Sequence, residues 1–195
     1  VQPEADGTGG ALRAALDVIR GSGTVLVLSG DHPLISSEAI AGLIDEHRGA
    51  GADATVITIE MDEPGSYGRI VRNGDGCVER IVEAKQPGDA TPEELAIREV
   101  NAGTYAFEAG PLADALERIG NDNAQGEYYL GDVLPLMRED GSTVAGFLSP
   151  DPAVTMGVNY RFQLARVAEE ARQRLLHEHM RAGVTIVDPA ATWID

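Results

Sequence analysis

The stretch TVLVLSGDHPLIS, residues 24–36, constrains this chain more than any other. It opens as a short continuous apolar run, the pattern of a buried parallel strand. It closes on Gly30 and Asp31, with Pro33 two residues on. Glycine lets the backbone turn there, and proline stops the strand from continuing. In open α/β sheets, ligands sit outside the carboxyl ends of strands. Asp31 at such an end either holds a divalent cation against a phosphate or merely caps a turn.

The elements around it alternate. GALRAALDVIR, residues 10–20, sets Leu12, Ala15, Leu16 and Ile19 on one helical face. After the strand, Ser36 or Ser37 caps a helix over SSEAIAGLIDEHR. ATVITIEM reads as a strand, and RIVRNGDGCVERIVEA as two strands around a glycine-containing turn. VNAGTYAF is a strand, GPLADALERI a helix, and EYYLGDVLPLMRED a helix that Pro135 kinks or shortens. TVAGFL is a strand, and the longest helix runs from Asn159 to Gly183, whose glycine terminates it. Residues 85–97 read as a mobile surface excursion. This order predicts an α/β fold with a mainly parallel sheet and an antiparallel insertion around residues 68–107.

Charge and composition narrow the function. The 195 residues suffice for one ordinary domain with a core. A net charge of −17 with no basic stripe argues against nucleic acid as a partner. It leaves room for a small phosphorylated substrate that arrives with a divalent cation. No apolar run reaches membrane-spanning length and no signal-peptide pattern is visible, so the reading is a soluble, cytoplasmic protein without membrane association. Cys77 is the sole cysteine and reads as core; the four histidines lack zinc spacing, and His177 and His179 read as surface residues.

Several local features carry chemistry. The glycine-rich stretch VQPEADGTGGA opens a helix whose N–H groups either meet an anion or base edge, or form a plain linker. GSYGRI, residues 65–70, allows close backbone approach to a ligand, or is a simple turn. Glu83 and Lys85 in IVEAKQ are two apart on a strand and face the same way. Lys85 is the only lysine beside fourteen arginines; it stands where a compact ammonium is needed, or survives by chance. Asn101 sits in a strand, where asparagine is disfavoured, so its amide is either satisfied locally or bonds a sugar.

The order of these stretches is more specific than any one of them. DGTGGA, LSGDHPLI, GSYGRI, IVEAKQ, REVNAGTYAF, NDNAQGEYYLGD, GVNYRFQLA and AGVTIVDPAATWID together span essentially the whole chain. In that order they resemble the uridylyltransferase domain of the bacterial bifunctional N-acetylglucosamine-1-phosphate uridylyltransferase and glucosamine-1-phosphate acetyltransferases. The resemblance implies a Rossmann-like, glycosyltransferase-A-like nucleotidyltransferase domain over residues 1–182. It implies the start of a left-handed β-helix domain over residues 183–195.

The implied reaction is attack of N-acetylglucosamine 1-phosphate on the α-phosphorus of UTP, giving UDP-N-acetylglucosamine and pyrophosphate for cell-wall synthesis. The resemblance assigns nucleotide contacts to Gln2, Gly7, Thr8, Ser29, Gly30 and Asp31. It assigns sugar contacts to Gly68, Glu83, Asn101 and Tyr129. Asp31 and Asn159 would hold Mg2+, and Asp31 and Lys85 would serve catalysis. The nucleophile is already an anionic phosphate, so positioning and cation stabilisation suffice without a strong base.

Departures from the family pattern shape the expectations. The glycine-rich loop G-x-G-T-R-M-x-S-x-x-P-K, which grips the triphosphate, has no counterpart in these residues. The sheet is therefore expected to be N-terminally incomplete, with an unpaired strand edge. These residues alone are expected to turn over UTP poorly and, without the family's trimerising β-helix, to be monomeric. Gly131 stands where the family has threonine, and His32 where relatives vary. Two other readings remain open here: another sugar-1-phosphate nucleotidyltransferase, and a non-catalytic sugar-nucleotide-binding module.

Overall fold

The computed structural model describes residues 6–123 and 125–194, so the expected nucleotide contact at Gln2 lies outside the described residues. Six strands form one sheet: β1 (Thr24–Val27), β2 (Ala54–Glu60), β3 (Arg69–Arg72), β4 (Val78–Val82), β5 (Glu99–Glu108) and β6 (Val144–Leu148). Their order is β4-β3-β5-β2-β6, with β1 also on β5. Strand β5 runs antiparallel to β1, β2 and β3, while β2 and β6 are parallel. Hence β1, β2, β3 and β6 share one direction, and β5 and β4 oppose them.

The sheet is buried between helices. On one face lie α1 (Thr8–Arg13), α2 (Leu16–Ile19), α5 (Ala109–Arg118) and α6 (Val133–Glu139). They close a core around Phe107, Leu112, Leu116, Leu134 and Met137. On the other face α3 (Ser37–Gly49) packs Ala39 and Leu43 against Ile57, Ile59 and Val100. The continuous apolar run of β2 has its cause here: Val56 enters one core and Ile57 the other. The long helix α7 (Arg161–Arg181) seats Val167 against Leu34 and Ala153, and Gly183 follows its end. Arg174 pairs with Asp151 at 2.8 Å and ties α7 to the loop before it.

Caps and turns fall where the sequence places them, with a few corrections. Ser36 is the cap of α3; its hydroxyl accepts from the Ala39 N–H at 3.1 Å. Pro135 sits in the first turn of α6, so the helix begins at Val133, and a 3-10 turn covers Leu130–Asp132. Residues 85–97 contain a one-turn helix, α4 (Pro92–Leu95), with a complete capping box between Thr91 and Glu94. The helix expected over residues 10–20 is broken into α1 and α2, because the Ala15 N–H turns back to Leu12 at 2.9 Å. That tighter turn still delivers Leu12, Leu16 and Ile19 to the core.

Strand β1 differs most from its expectation. It pairs antiparallel with β5, and its other edge has no partner among the described residues. Its residues alternate between exposed and half-buried, with Leu26 at 38%. Covered along one edge only, an apolar strand cannot be fully buried. A polar chain anchors it instead. The Thr24 hydroxyl donates to Glu108 Oε1 at 2.9 Å, His47 Nε2 lies 3.2 Å from that oxygen, and His47 Nδ1 lies 2.8 Å from Thr55. The Thr24 hydroxyl and His47 hold the Glu108 carboxyl below the usual range.

No helix among the described residues is long and apolar enough to cross a membrane. Phe107 is fully buried where β1, β5 and β2 meet. Phe107→Ala is expected to lower unfolding free energy by about 3–5 kcal/mol, read by urea denaturation.

Candidate active site

The site originates in an irregularity of β5. Val56 pairs with Tyr105 and Thr58 with Asn101, so a two-residue step on β2 faces a four-residue step on β5. The excess is taken up around Gly103, whose φ of +73° is left-handed and suits glycine. On the other edge of β5, β1 ends opposite Tyr105 and β3 begins opposite Val100. Between them the sheet opens, and a cleft of about 600 Å³ occupies the gap.

Asn101 organises the floor of that cleft. Its Oδ1 accepts the Gly103 N–H at 2.8 Å, and its Nδ2 donates to the Tyr105 hydroxyl at 2.8 Å. The Ser29 hydroxyl donates to the Gly103 carbonyl at 3.2 Å, which carries the network to the tip of β1. The asparagine disfavoured in a strand is therefore satisfied locally. Both its polar atoms keep further capacity toward the cleft. Burial pushes the Tyr105 phenol up from its ordinary value, so it remains a protonated donor.

The segments that converge here are far apart in sequence. Thr8 reaches the cleft because α1 is stitched to the chain before α6. Gly9 N–H donates to the Tyr128 carbonyl at 2.8 Å, and Leu130 N–H donates to the Thr8 hydroxyl at 3.1 Å. A Cβ at Gly9 would lie 2.9 Å from that Tyr128 oxygen, so the glycine-rich stretch serves close packing. Lys85 stands 3.2 Å from Glu83, with its ammonium 4.4 Å from the Tyr129 ring centre. The Tyr129 hydroxyl donates to Gln125 at 2.7 Å.

Of the sequence-predicted residues, Gly7, Thr8, Ser29, Gly30, Asp31, Glu83, Lys85, Asn101 and Tyr129 all line this cleft. Gly68 lies just behind it, with its carbonyl accepting the Asn101 N–H at 2.9 Å. Asn159 is exposed and approaches through its neighbour: Val158 N–H donates to the Asp31 carbonyl at 2.8 Å. Sequence reasoning missed Tyr105, Gly103, Leu28 and Glu127, which also line the cleft. Tyr105 had a usable signal, since in a strand it shares a face with Asn101, four residues before it.

The cleft is acidic. Asp31, Glu83 and Glu127 line it, and Lys85 is the only cation among the described lining residues. Burial, together with the Glu83 charge, raises the Asp132 carboxyl from its ordinary value. A phosphate entering this field needs a partner cation. Asp31 presents a half-exposed carboxylate to the cleft, an oxygen donor of the kind a hard divalent ion takes, and the Val158 bond brings the backbone next to Asn159 up to the same residue.

A mixed α/β sheet with helices on both faces, opening at the carboxyl end of β1 into a cleft lined by carboxylates, is the arrangement of α/β proteins that take ligands at strand ends. The chain belongs to the nucleotidyl transferase family, whose model matches residues 1–195. It is 53% identical over 196 residues to the bifunctional protein GlmU of Geobacter metallireducens, covering 100% of this chain and 40% of that protein. It is 46% identical over 196 residues to the bifunctional protein GlmU of Corynebacterium efficiens, again 100% of this chain and 40% of the relative. With the Mycobacterium ulcerans protein of the same name it shares 47% over 191 residues, 97% of this chain and 38% of that one. The chain thus spans about 40% of the length of these relatives.

A raised Asp132 pKa means that the ionised carboxylate penalises the native state at pH values above its folded pKa. The penalty lifts as pH falls through that value. Asp132→Asn is therefore expected to stabilise the protein at pH 7 and to have little effect below the unfolded aspartate pKa of about 3.9. Urea unfolding at the two pH values checks this. Gly103→Ala is expected to cost about 1–2 kcal/mol through its left-handed backbone, read by thermal unfolding.

Proposed function

We propose that the cleft is a sugar-nucleotide site. In it a uridylyl group passes from UTP to N-acetylglucosamine 1-phosphate, in the cytoplasm, for cell-wall precursor synthesis. The observation that carries the reading is convergence. Five separated stretches, around Thr8, Asp31, Glu83, Asn101 and Tyr129, line one cleft at the end of β1. Membership of the nucleotidyl transferase family supports the reaction class, and the ordered motifs that resemble the uridylyltransferase domain support the choice of sugar.

The residues divide the work by position. Gly7, Thr8, Ser29 and Gly30 lie on the side of the β1 tip and α1, where a nucleotide would rest. Gln2, which lies outside the described residues, is proposed as a further nucleotide contact. Glu83, Asn101 and Tyr129, with Gly68 behind them, lie on the side of β3 and β4, where the sugar would rest. There Asn101 has an amide fixed in orientation by Tyr105 and Gly103. Lys85 would hold the phosphate of the sugar against the α-phosphorus. A phosphate oxygen forms the new P–O bond, the α–β P–O bond breaks, and pyrophosphate leaves. Asp31 and Asn159 would hold Mg2+, which when bound offsets phosphate charge and orients the reacting oxygens.

One ammonium is few for a triphosphate, which favours product binding over turnover by these residues. Residues 183–195 are read as the start of a second domain. By the resemblance, such a domain would carry the contacts of a trimer, and these residues by themselves are read as a monomer.

Calorimetric titration with UDP-N-acetylglucosamine and magnesium tests the proposal, with TDP-glucose as the control. Saturable binding selective for the uridine compound is expected. Asp31→Ala should weaken it about tenfold or more, roughly 1.4 kcal/mol. Equal binding of the two nucleotides, or none by a cooperatively folded sample, would sink it.

A further inference from the structure

His32 does not line the cleft, yet it sits where the two proposed cation ligands are held together. Its side chain is 15% exposed, and its Nδ1 is buried without a hydrogen bond among the described residues. Its Nε2 stands 4.0 Å from Asp31 Oδ1, beyond hydrogen-bond range. A buried imidazole with neither nitrogen bonded to protein gains little from its polarity. Its surroundings show what it does supply.

The ring lies against two backbone positions that have no Cβ. A Cβ at Gly157 would fall 2.8 Å from Nε2 and 2.9 Å from Cδ2, so the ring occupies the place an alanine would need. A Cβ at Gly103 would fall 3.7 Å from Cε1, in ordinary contact. Gly103 belongs to the irregular part of β5, and Gly157 to the loop that leads into α7. Next to Gly157, Val158 N–H reaches back to the carbonyl of Asp31 at 2.8 Å, and Asn159 follows. His32 is thus packed at the junction of three segments: the β1 tip carrying Asp31, the β5 irregularity carrying Asn101, and the loop carrying Asn159.

We infer that His32 is a positioning residue whose ring, acting by shape, sets the spacing between Asp31 and Asn159 and so their joint hold on a divalent cation. This rests on the proposed role of those two residues as cation ligands. A spacer of this kind acts on metal affinity as the partners behind metal ligands do. Close packing transmits its volume to both segments, because neither glycine offers a side chain that could yield. The role belongs to the volume of the ring, whatever its protonation.

The test compares His32→Ala, His32→Leu, which keeps the volume and removes the nitrogens, and His32→Asn, which keeps a polar atom and loses volume. Two readouts are taken on the full chain. The first is amide hydrogen exchange at Val158, which needs no ligand. The second is the gain in UDP-N-acetylglucosamine affinity on adding magnesium.

Loss of Val158 protection is expected in the alanine and asparagine variants and retention in the leucine variant. A parallel fall of about tenfold in the magnesium-dependent gain is expected in the first two only. Gly157→Ala, which displaces the ring, should behave like His32→Ala. Unchanged protection at Val158 in His32→Ala would overturn the inference, as would rescue by asparagine and not by leucine. If protection follows ring volume but Asp31→Ala leaves the magnesium gain intact, the spacing role stands. The cation reading of Asp31 is then what fails.

Discussion

The fit of β5 between its neighbours governs both the sheet and the cleft. This strand pairs with β1 and β3 along one edge and with β2 along the other. Its ten residues cannot stay in register with β2 throughout, and the mismatch is absorbed at Gly103. From that irregularity follow the gap between β1 and β3, the satisfied amide of Asn101, the buried hydroxyl of Tyr105 and the anchor for Ser29. A regular strand would continue the ladder and close the sheet over the cleft.

Electrostatics then limits what the cleft can receive. Carboxylates outnumber ammonium groups on the described lining, so an isolated phosphate meets repulsion at Asp31, Glu83 and Glu127. A divalent cation held by oxygen donors changes the sign of that interaction and makes nucleotide phosphates acceptable. The same field is felt by Asp132, whose carboxyl is raised by burial and by Glu83. Stability at neutral pH is thus lowered in a region whose charges suit a cation-bearing ligand, a common trade at binding sites.

Most elements were legible in the sequence because their signals are local. The apolar run of β2, the serine cap of α3, the proline at the start of α6 and the glycine after α7 each act within a few residues. Much of the site was legible too, since nine of the expected residues line one cleft. The failures had non-local causes. The break between α1 and α2 has no proline or glycine at Ala14–Ala15 to announce it. The half exposure of β1 depends on which edges are paired. The contribution of Tyr105 depends on where the β5 irregularity falls.

Local sequence was enough for the alternation of strands and helices, the turn at Gly30-Asp31, and the residue types able to meet a phosphate, a sugar and a cation. Periodicity, caps and turn chemistry are properties of neighbouring residues, and those suffice for such readings. Long-range packing alone fixed Thr8 beside Leu130, clasped Val158 to Asp31, and put His32 in the space beside Gly157. Those contacts join residues roughly a hundred or more positions apart. They form only once the sheet order and the packing of both faces are set.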